Sequence, residues 1–296
     1  MSRKILRLWQ ISVTAWSAPV ILLKYFHPDT GREYGVGFFR KMWLLYRMNR
    51  NHARITTFSE WVEHAIMATE ILRVPRDVQG CVIECGTFQG GSAANLSLVC
   101  ALCDRTLEIF DSFEGLPEPS SADRSHVIAH EHEVQTYAKG AFRGSLPDVQ
   151  KNITRFGRIS ACSFNVGYFN QTLPAFRKPC VLVFLDVDLV ESLKTCLVHL
   201  WPLMREGCYL FTHEAHHMEI AGVFFDQVWW KNSLNCCAPG LVGAGTGLGL
   251  LPSSGGFRSA LGYAVKDPVT ASFKIAPQTG LADQTTLRVK RPINPS

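Results

Sequence analysis

VIECGTFQGGSAANLSLVCALCDRTLEIFDSFEGLPEP, running from Val82 to Pro119, decides the fold of this chain. Val82 to Cys85 is a short apolar run broken by Glu84 and reads as a buried strand. Gly86, Gly90 and Gly91 follow, letting the backbone turn tightly and come close to a ligand. Ser92 opens a helix whose Ala93, Leu96, Leu98 and Val99 face the sheet, and the free N–H groups at its start suit a negatively charged group. Leu107 to Phe110 is a second buried strand, and Asp111 ends it 25 positions after Gly86. A carboxylate at that place can take both hydroxyls of a ribose.

The spacing of the turn selects among nucleoside ligands. A dinucleotide fingerprint needs G-x-G-x-x-G, whereas this turn reads E-x-G-x-x-x-G-G and lacks the second glycine that admits a pyrophosphate. S-adenosylmethionine fits better: Glu84 can help neutralise its ammonium, and the turn amides can receive its carboxylate. The cofactor set is therefore Glu84, Gly86, Gly90, Gly91, Ser92, Asp111 and the adjacent Ser112.

Further along, strands and helices keep alternating. A helix from Ser59 to Arg73, with Ser59 as N-cap, leads into the first strand. Leu146 to Phe156 reads as a helix, Ile159 to Phe164 as a third strand, and Cys180 to Leu185 as a fourth, uniformly apolar one. Leu193 to Met204 is the next crossover helix and Gly207 to Thr212 the fifth strand; Phe257 to Val265 supplies a late antiparallel strand. Such alternation predicts an α/β fold: a Rossmann-like, doubly wound, mostly parallel sheet with helices on both faces and the ligand at the carboxyl ends of its strands. The expected organisation is an N-terminal helical extension over residues 1–55, a catalytic domain over 56–270 and a tail over 271–296.

Two of these strand ends carry further chemistry. LDVDLVES places Asp186 and Asp188 after the fourth strand, where alternation would point them the same way, and FTHEAHH places His213 and Glu214 after the fifth. Asp186, His213 and Glu214 form a candidate divalent-metal site, with Asp186 or His213 as the group that takes a hydroxyl proton. The competing reading has Asp186 or Asp188 capping the next helix. The spacing of HEAHH, with His213 and His216 three apart, does not match the H-E-x-x-H of zinc hydrolases.

With 47% hydrophobic residues and a net charge of +5, the 296 residues can bury one α/β core. They show no basic stripe interleaved with stacking aromatics, which argues against nucleic acid. Ten cysteines, with one lone C-x-x-C at Cys100 and Cys103 inside an apolar run, suggest neither a zinc knuckle nor a disulfide framework, and a reducing cytoplasm fits best. Ile5 to Leu23 is apolar but interrupted, leaving open a helix packed on the domain or a homo-oligomeric partner, or one lying on a membrane surface. Phe38 to Met48 reads as an amphipathic helix with a core-facing apolar stripe and a solvated basic face. Pro117 to Arg143, containing His126, His130 and His132, reads as a lid over the site. Gly240 to Gly256 suits a loop near the opening, and the polar tail from Pro277 suits disorder.

From Thr56 to Trp230 the chain resembles the macrocin O-methyltransferase (TylF-type) family of class I S-adenosylmethionine-dependent methyltransferases. The resemblance rests on VIECGTFQGGS, FDSFEGLPEP, FNQTLP and LDVDLVES. It implies methyl transfer to a hydroxyl of a small molecule, often a natural-product sugar, with Mg²⁺ held by acidic residues. It also implies that residues near Gly167 to Phe169 approach the adenine, with Asn165 or Tyr168 in contact. This chain departs from the family pattern at the metal. Where an Asp-Asp pair is expected 27 and 28 positions after Asp186, it has His213 and Glu214, and Val190 stands where a tyrosine is usual. The alternative expectation is a protein that binds S-adenosylmethionine but acts through association, at a membrane surface.

Overall fold

Apolar runs of five or six residues, too short for helices and rich in Val, Ile, Leu and Phe, become the central strands of a six-stranded sheet. The computed structural model describes residues 21–120, 123, 128–130, 133–135, 137–245 and 259–267. In chain order the main elements are α1 (Phe38–His52), α2 (Trp61–Arg73), β1 (Cys81–Cys85), α3 (Gly91–Leu102), β2 (Leu107–Asp111) and α4 (Leu146–Phe156). They are followed by β3 (Cys162–Val166), β4 (Cys180–Leu185), α5 (Val190–Leu200), β5 (Met204–Thr212), α6 (Gln227–Leu234) and β6 (Gly262–Val265). The sheet runs β3-β2-β1-β4-β5-β6, parallel except for β6, which pairs antiparallel with β5.

The order reverses between β1 and β4. A right-handed crossover leaving β1 toward β2 puts its helix on one face, and one leaving β4 toward β5 puts its helix on the other. Accordingly α1, α2, α3 and α4 pack together as one layer, while α5 packs with other short helical turns. A buried polar chain ties the first layer together. Asn51 of α1 donates to Asn95 Oδ1 of α3 (2.8 Å), and the Asn95 amide nitrogen lies 2.8 Å from Nδ1 of His64 in α2. Burial pushes the His64 imidazole down to about 4, so it sits in this chain as a neutral ring.

Several element boundaries differ from the sequence reading. Helix α2 starts at Trp61 and is capped by Glu60, not Ser59, because Glu63 reaches back to the Glu60 amide in a capping box. The Ser59 hydroxyl instead lies 2.8 Å from His64 Nε2. The third strand begins at Cys162 after a 3₁₀ turn over Ile159–Ala161. Helix α5 begins at Val190 and gives way to a 3₁₀ turn at Trp201–Leu203, where Pro202 has no amide to continue the helix, so Met204 already opens β5.

The expected core-facing stripe of the amphipathic helix is turned outward. Lys41, Leu44, Met48 and Asn51 are the buried residues of α1, whereas Phe38, Phe39, Met42, Trp43 and Tyr46 are exposed, Phe39 to 87%. Lys41 tolerates burial because its long stem packs inward and its ammonium donates to the His27 carbonyl at 2.8 Å. The expectations for Ile5 to Leu23, for His126 and His132, for most of Gly240 to Gly256 and for the tail from Pro277 lie largely or wholly outside the described residues; of the first, residues 21–23 are helical.

Candidate active site

Register brings four strand ends into one row. Cys85 pairs with Phe110 on one side and Leu185 on the other, and Leu185 pairs with Thr212. The next residue of each strand is therefore Gly86, Asp111, Asp186 and His213, in spatial order Asp111-Gly86-Asp186-His213. Ladder hydrogen bonds continue through that row: Gly86 donates to Phe110, Asp186 to Cys85 and His213 to Leu185, each at 2.9 Å. These residues meet at the reversal of strand order, where an open parallel sheet presents its ligand crevice. A cavity of about 670 Å³ opens there, lined among others by Gly86, Asp111, Tyr168, Asp186 and His213.

The glycines that admit this approach are of two kinds. Gly86 has φ +82°, and a Cβ there would sit 1.9 Å from the Asp186 carbonyl oxygen, so only glycine lets β1 turn against the end of β4. Gly90 takes a left-handed backbone, φ +83°, to open α3, and Gly91 serves packing, since a Cβ there would press on Thr57. Asp111 Oδ2 accepts the Thr87 amide and Oδ1 the Phe113 amide, both at 2.7 Å, which fixes the carboxylate facing the cavity. Burial nevertheless holds its carboxyl above the usual range, against the lowering effect of those amides.

Glu84 lies beneath the row, wholly buried. Ser92, at the start of α3, donates to its Oε1, while Oε2 has no hydrogen-bond partner of normal geometry among the described residues. Burial pushes this carboxyl up to about 8, and nearby Asp186 and Asp111 add to the rise. Ser112 lines the cavity and closes the next turn, donating to the Gly115 carbonyl at 2.9 Å. Tyr168 also lines the cavity; Asn165 instead turns to the sheet, donating to Glu108 at 3.1 Å.

At the other end, Asp186 and Asp188 do not share a strand face, because β4 stops at Leu185 and Asp188 adopts a left-handed backbone, φ +59°. Burial and the charge of Asp186 push the Asp188 carboxyl up to about 7, where the Tyr137 hydroxyl is its partner. Neither aspartate caps α5: the Val190 amide donates to Asp123 Oδ1 at 2.8 Å. Glu214, 2% exposed, accepts the amides of Val187 and Asp188 on Oε1 (3.0 and 3.2 Å) and the Thr212 hydroxyl on Oε2 (2.7 Å). His213 stands between two carboxylates, Nε2 3.2 Å from Glu63 and Nδ1 3.5 Å from Asp186. Burial alone would lower this imidazole, but Asp186 and Glu63 outweigh it and raise it well above its ordinary value.

This donor set fits a divalent ion only in part. The oxygens of Glu214 are committed to protein donors, whereas His213, with Nε2 beside Glu63, presents Nδ1 3.5 Å from Asp186 Oδ1, a separation that two ligands of one ion can have. Among the described residues no group of three His, Cys, Asp or Glu side chains is arranged to hold a metal. Asp186 keeps its place at the cavity wall, able to receive a proton.

Some residues of the site carry no local signal. Glu63 sits in a helix 150 positions before His213 and reads in sequence as one polar residue on an amphipathic face. Phe58, Phe88 and Phe142, which line one wall with ring centroids 5.4–6.4 Å apart, come from three separate segments. Nothing in their sequence spacing marks them as neighbours.

Residues 53–228 match the family described as Macrocin-O-methyltransferase (TylF). Mycinamicin III 3''-O-methyltransferase of Micromonospora griseorubida is 30% identical over 180 residues, which cover 53% of this chain and 70% of that protein. Among solved structures the O-methyltransferase NovP superposes with a TM-score of 0.52 at 18% identity, over 75% of this chain and 88% of its own. The calicheamicin methyltransferase CalS11 gives 0.47 at 17% identity, over 76% and 92%. The doubly wound, mostly parallel sheet expected from sequence is thus the fold of this chain.

Proposed function

Because the chain belongs to the macrocin O-methyltransferase (TylF) family and is a methyltransferase, we propose that it moves the methyl group of S-adenosylmethionine to a sugar hydroxyl of a small molecule. The observation that carries this reading is the row Asp111-Gly86-Asp186-His213 above Glu84 at one cavity. When bound, S-adenosylmethionine supplies a methyl on a positively charged sulfur, which leaves with the electron pair of the broken bond.

The chain's own groups suit that ligand. Asp111, pinned by two amides, would hold ribose hydroxyls, with Ser112 beside it and Tyr168 against the base. Glu84 Oε2, buried and without a hydrogen-bond partner of normal geometry, would accept a cation such as the methionine ammonium. Asp186 takes the hydroxyl proton as the new O–C bond forms, and alignment in the cavity supplies most of the rate. The relative's printed name, a 3''-O-methyltransferase, and the phenylalanine wall support a glycoside as acceptor.

Isothermal titration tests the cofactor assignment: micromolar S-adenosylmethionine binding, weakened at least tenfold by Asp111→Ala, is expected. Unchanged binding in that variant sinks it. Incubation with methyl-labelled S-adenosylmethionine and a panel of glycosides and phenols then tests the acceptor, and label confined to phenols would reject the sugar.

The outward face of α1 supports a reading of where the enzyme works. Phe39, Met42, Trp43 and Tyr46 are exposed on the same face as Arg50, and the Arg47 guanidinium lies 5.1 Å from the Trp43 ring. Aromatic and basic side chains together suit the headgroup region of an anionic lipid surface. No helix among the described residues is long and apolar enough to cross a membrane.

A further inference from the structure

Helix α1 carries arginines and a lysine but no acidic residue from Phe38 to His52. Its exposed side borders a second cavity, a groove of about 530 Å³ between α1 and the C-terminal end of α3. Phe39 and Trp43 come from α1, and Leu98, Ala101 and Leu102 from α3. Arg40 of α1 and Arg158, just after α4, complete the lining. The groove is therefore apolar along its length, and both of its charged residues are cations.

Those cations are not neutralised by the chain. Among the described residues neither Arg40 nor Arg158 pairs with a carboxylate, whereas Lys24, Arg32, Arg73 and Lys194 all do. Arg47, one turn beyond Trp43, donates to the Phe156 carbonyl at 2.7 Å and leans on the Trp43 ring. Burial and the charges of Arg50 and Arg158 hold its guanidinium below its ordinary range, so positive charges converge on this face.

The combination selects one kind of occupant. A free anion would meet the arginines but leave Phe39, 87% exposed, in water; an uncharged apolar ligand would leave both guanidinium groups unpaired. A second copy of the chain would bring the same arginines against these and be repelled. An amphiphile with an alkyl chain and an anionic head satisfies both parts at once. We propose that the groove holds a single molecule of an anionic lipid, its acyl chain along Phe39, Trp43 and Leu102 and its headgroup on Arg40 and Arg158. This rests on the reading of α1 as a lipid-facing helix given above and deepens it: the helix takes one lipid from the surface it lies on. From Gly91 to Leu102 α3 rises about 16 Å, which sets the groove at the far end of that helix from the cofactor turn. Lipid binding and methyl transfer are thus separable.

Titration of the full chain with dihexanoyl phosphatidylglycerol, kept below the concentration at which it forms micelles, tests the site without any bilayer. Saturable binding of one molecule per chain is expected, at least tenfold tighter than dihexanoyl phosphatidylcholine, with glycerol phosphate not bound. Arg40→Gln with Arg158→Gln, both exposed positions, is expected to weaken that binding at least tenfold and to leave S-adenosylmethionine affinity unchanged. Leu102→Trp, which fills the groove, is expected to abolish it; if that variant does not fold, the arginine pair still decides. No saturable binding, equal binding by the arginine variant, or equal affinity for phosphatidylcholine or for glycerol phosphate overturns the site. Flotation with phosphatidylserine vesicles separates the two readings. Flotation without binding of the monomeric lipid defeats the groove and keeps the lipid-facing helix, whereas binding of the monomer without flotation supports the groove and defeats the wider surface contact.

Discussion

On the proposed cofactor reading, the buried Glu84 would couple a proton to the ligand. Its carboxyl titrates near 8 because it is buried and sees Asp186 and Asp111, and the Ser92 hydroxyl only partly offsets this. In the ligand-free protein it is therefore protonated through the neutral range. A cation seated beside Oε2 favours the carboxylate, so binding below about pH 8 must expel the proton. The sign follows: affinity for S-adenosylmethionine should rise as pH increases from about 6 toward 8, by up to roughly tenfold per unit, and turn over above about 8, where the ligand's own ammonium loses its proton. Glu84→Gln should bind more weakly at pH 8 and show a flat profile over the same range. Titration calorimetry in buffers of differing protonation heat measures both, and a pH-independent wild-type affinity would refute the contact. Sequence alone could mark Glu84 by its place before a glycine turn, but the raised titration depends on burial and on two carboxylates from other strands. Glu63 is the opposite case. Nothing within its helix distinguishes it from a capping glutamate, and its partner is set by where β5 ends.

At the scale of elements, the turn between β1 and α3 is the most constrained piece. Gly86→Ala forces a left-handed backbone on a side chain and drives Cβ into the Asp186 carbonyl. Each effect costs about 1–3 kcal/mol. The variant should melt several degrees lower and lose S-adenosylmethionine binding, as thermal unfolding with and without ligand would show; an unchanged melting temperature would mean the turn is not held as described. Strands β1, β2 and β4 were legible because buried parallel strands write themselves as near-continuous apolar runs, broken in the first two by Glu84 and Glu108. Helix α1 was legible as a helix but not in its orientation. Periodicity gives two faces, and only contact with α2 and α3 shows that the Lys41-Leu44-Met48 face is inward. The Asp186-Asp188 loop was misjudged for a related reason: alternation applies inside a strand, and the strand had already ended.

For the whole molecule, the exposed aromatic and basic face of α1 lies apart from the residues that line the catalytic cavity, so location and chemistry can be varied separately. Phe39→Ser with Trp43→Ser should abolish flotation with vesicles containing phosphatidylserine while leaving S-adenosylmethionine affinity unchanged. Equal flotation of variant and wild type, or no flotation of either, would exclude α1 as a membrane contact. By itself the sequence determined the doubly wound sheet, the glycine turn after β1 and the methyltransferase class, since these rest on local periodicity, glycine spacing and contiguous motifs within Val82 to Pro119 and LDVDLVES. Only the tertiary structure decided which groups meet at the reacting end. Register set Asp186 beside His213, and the packing of α2 set Glu63 on the ring's other side. Charge state follows from such neighbours in space, and a linear sequence records the residues without recording which of them will share a buried proton.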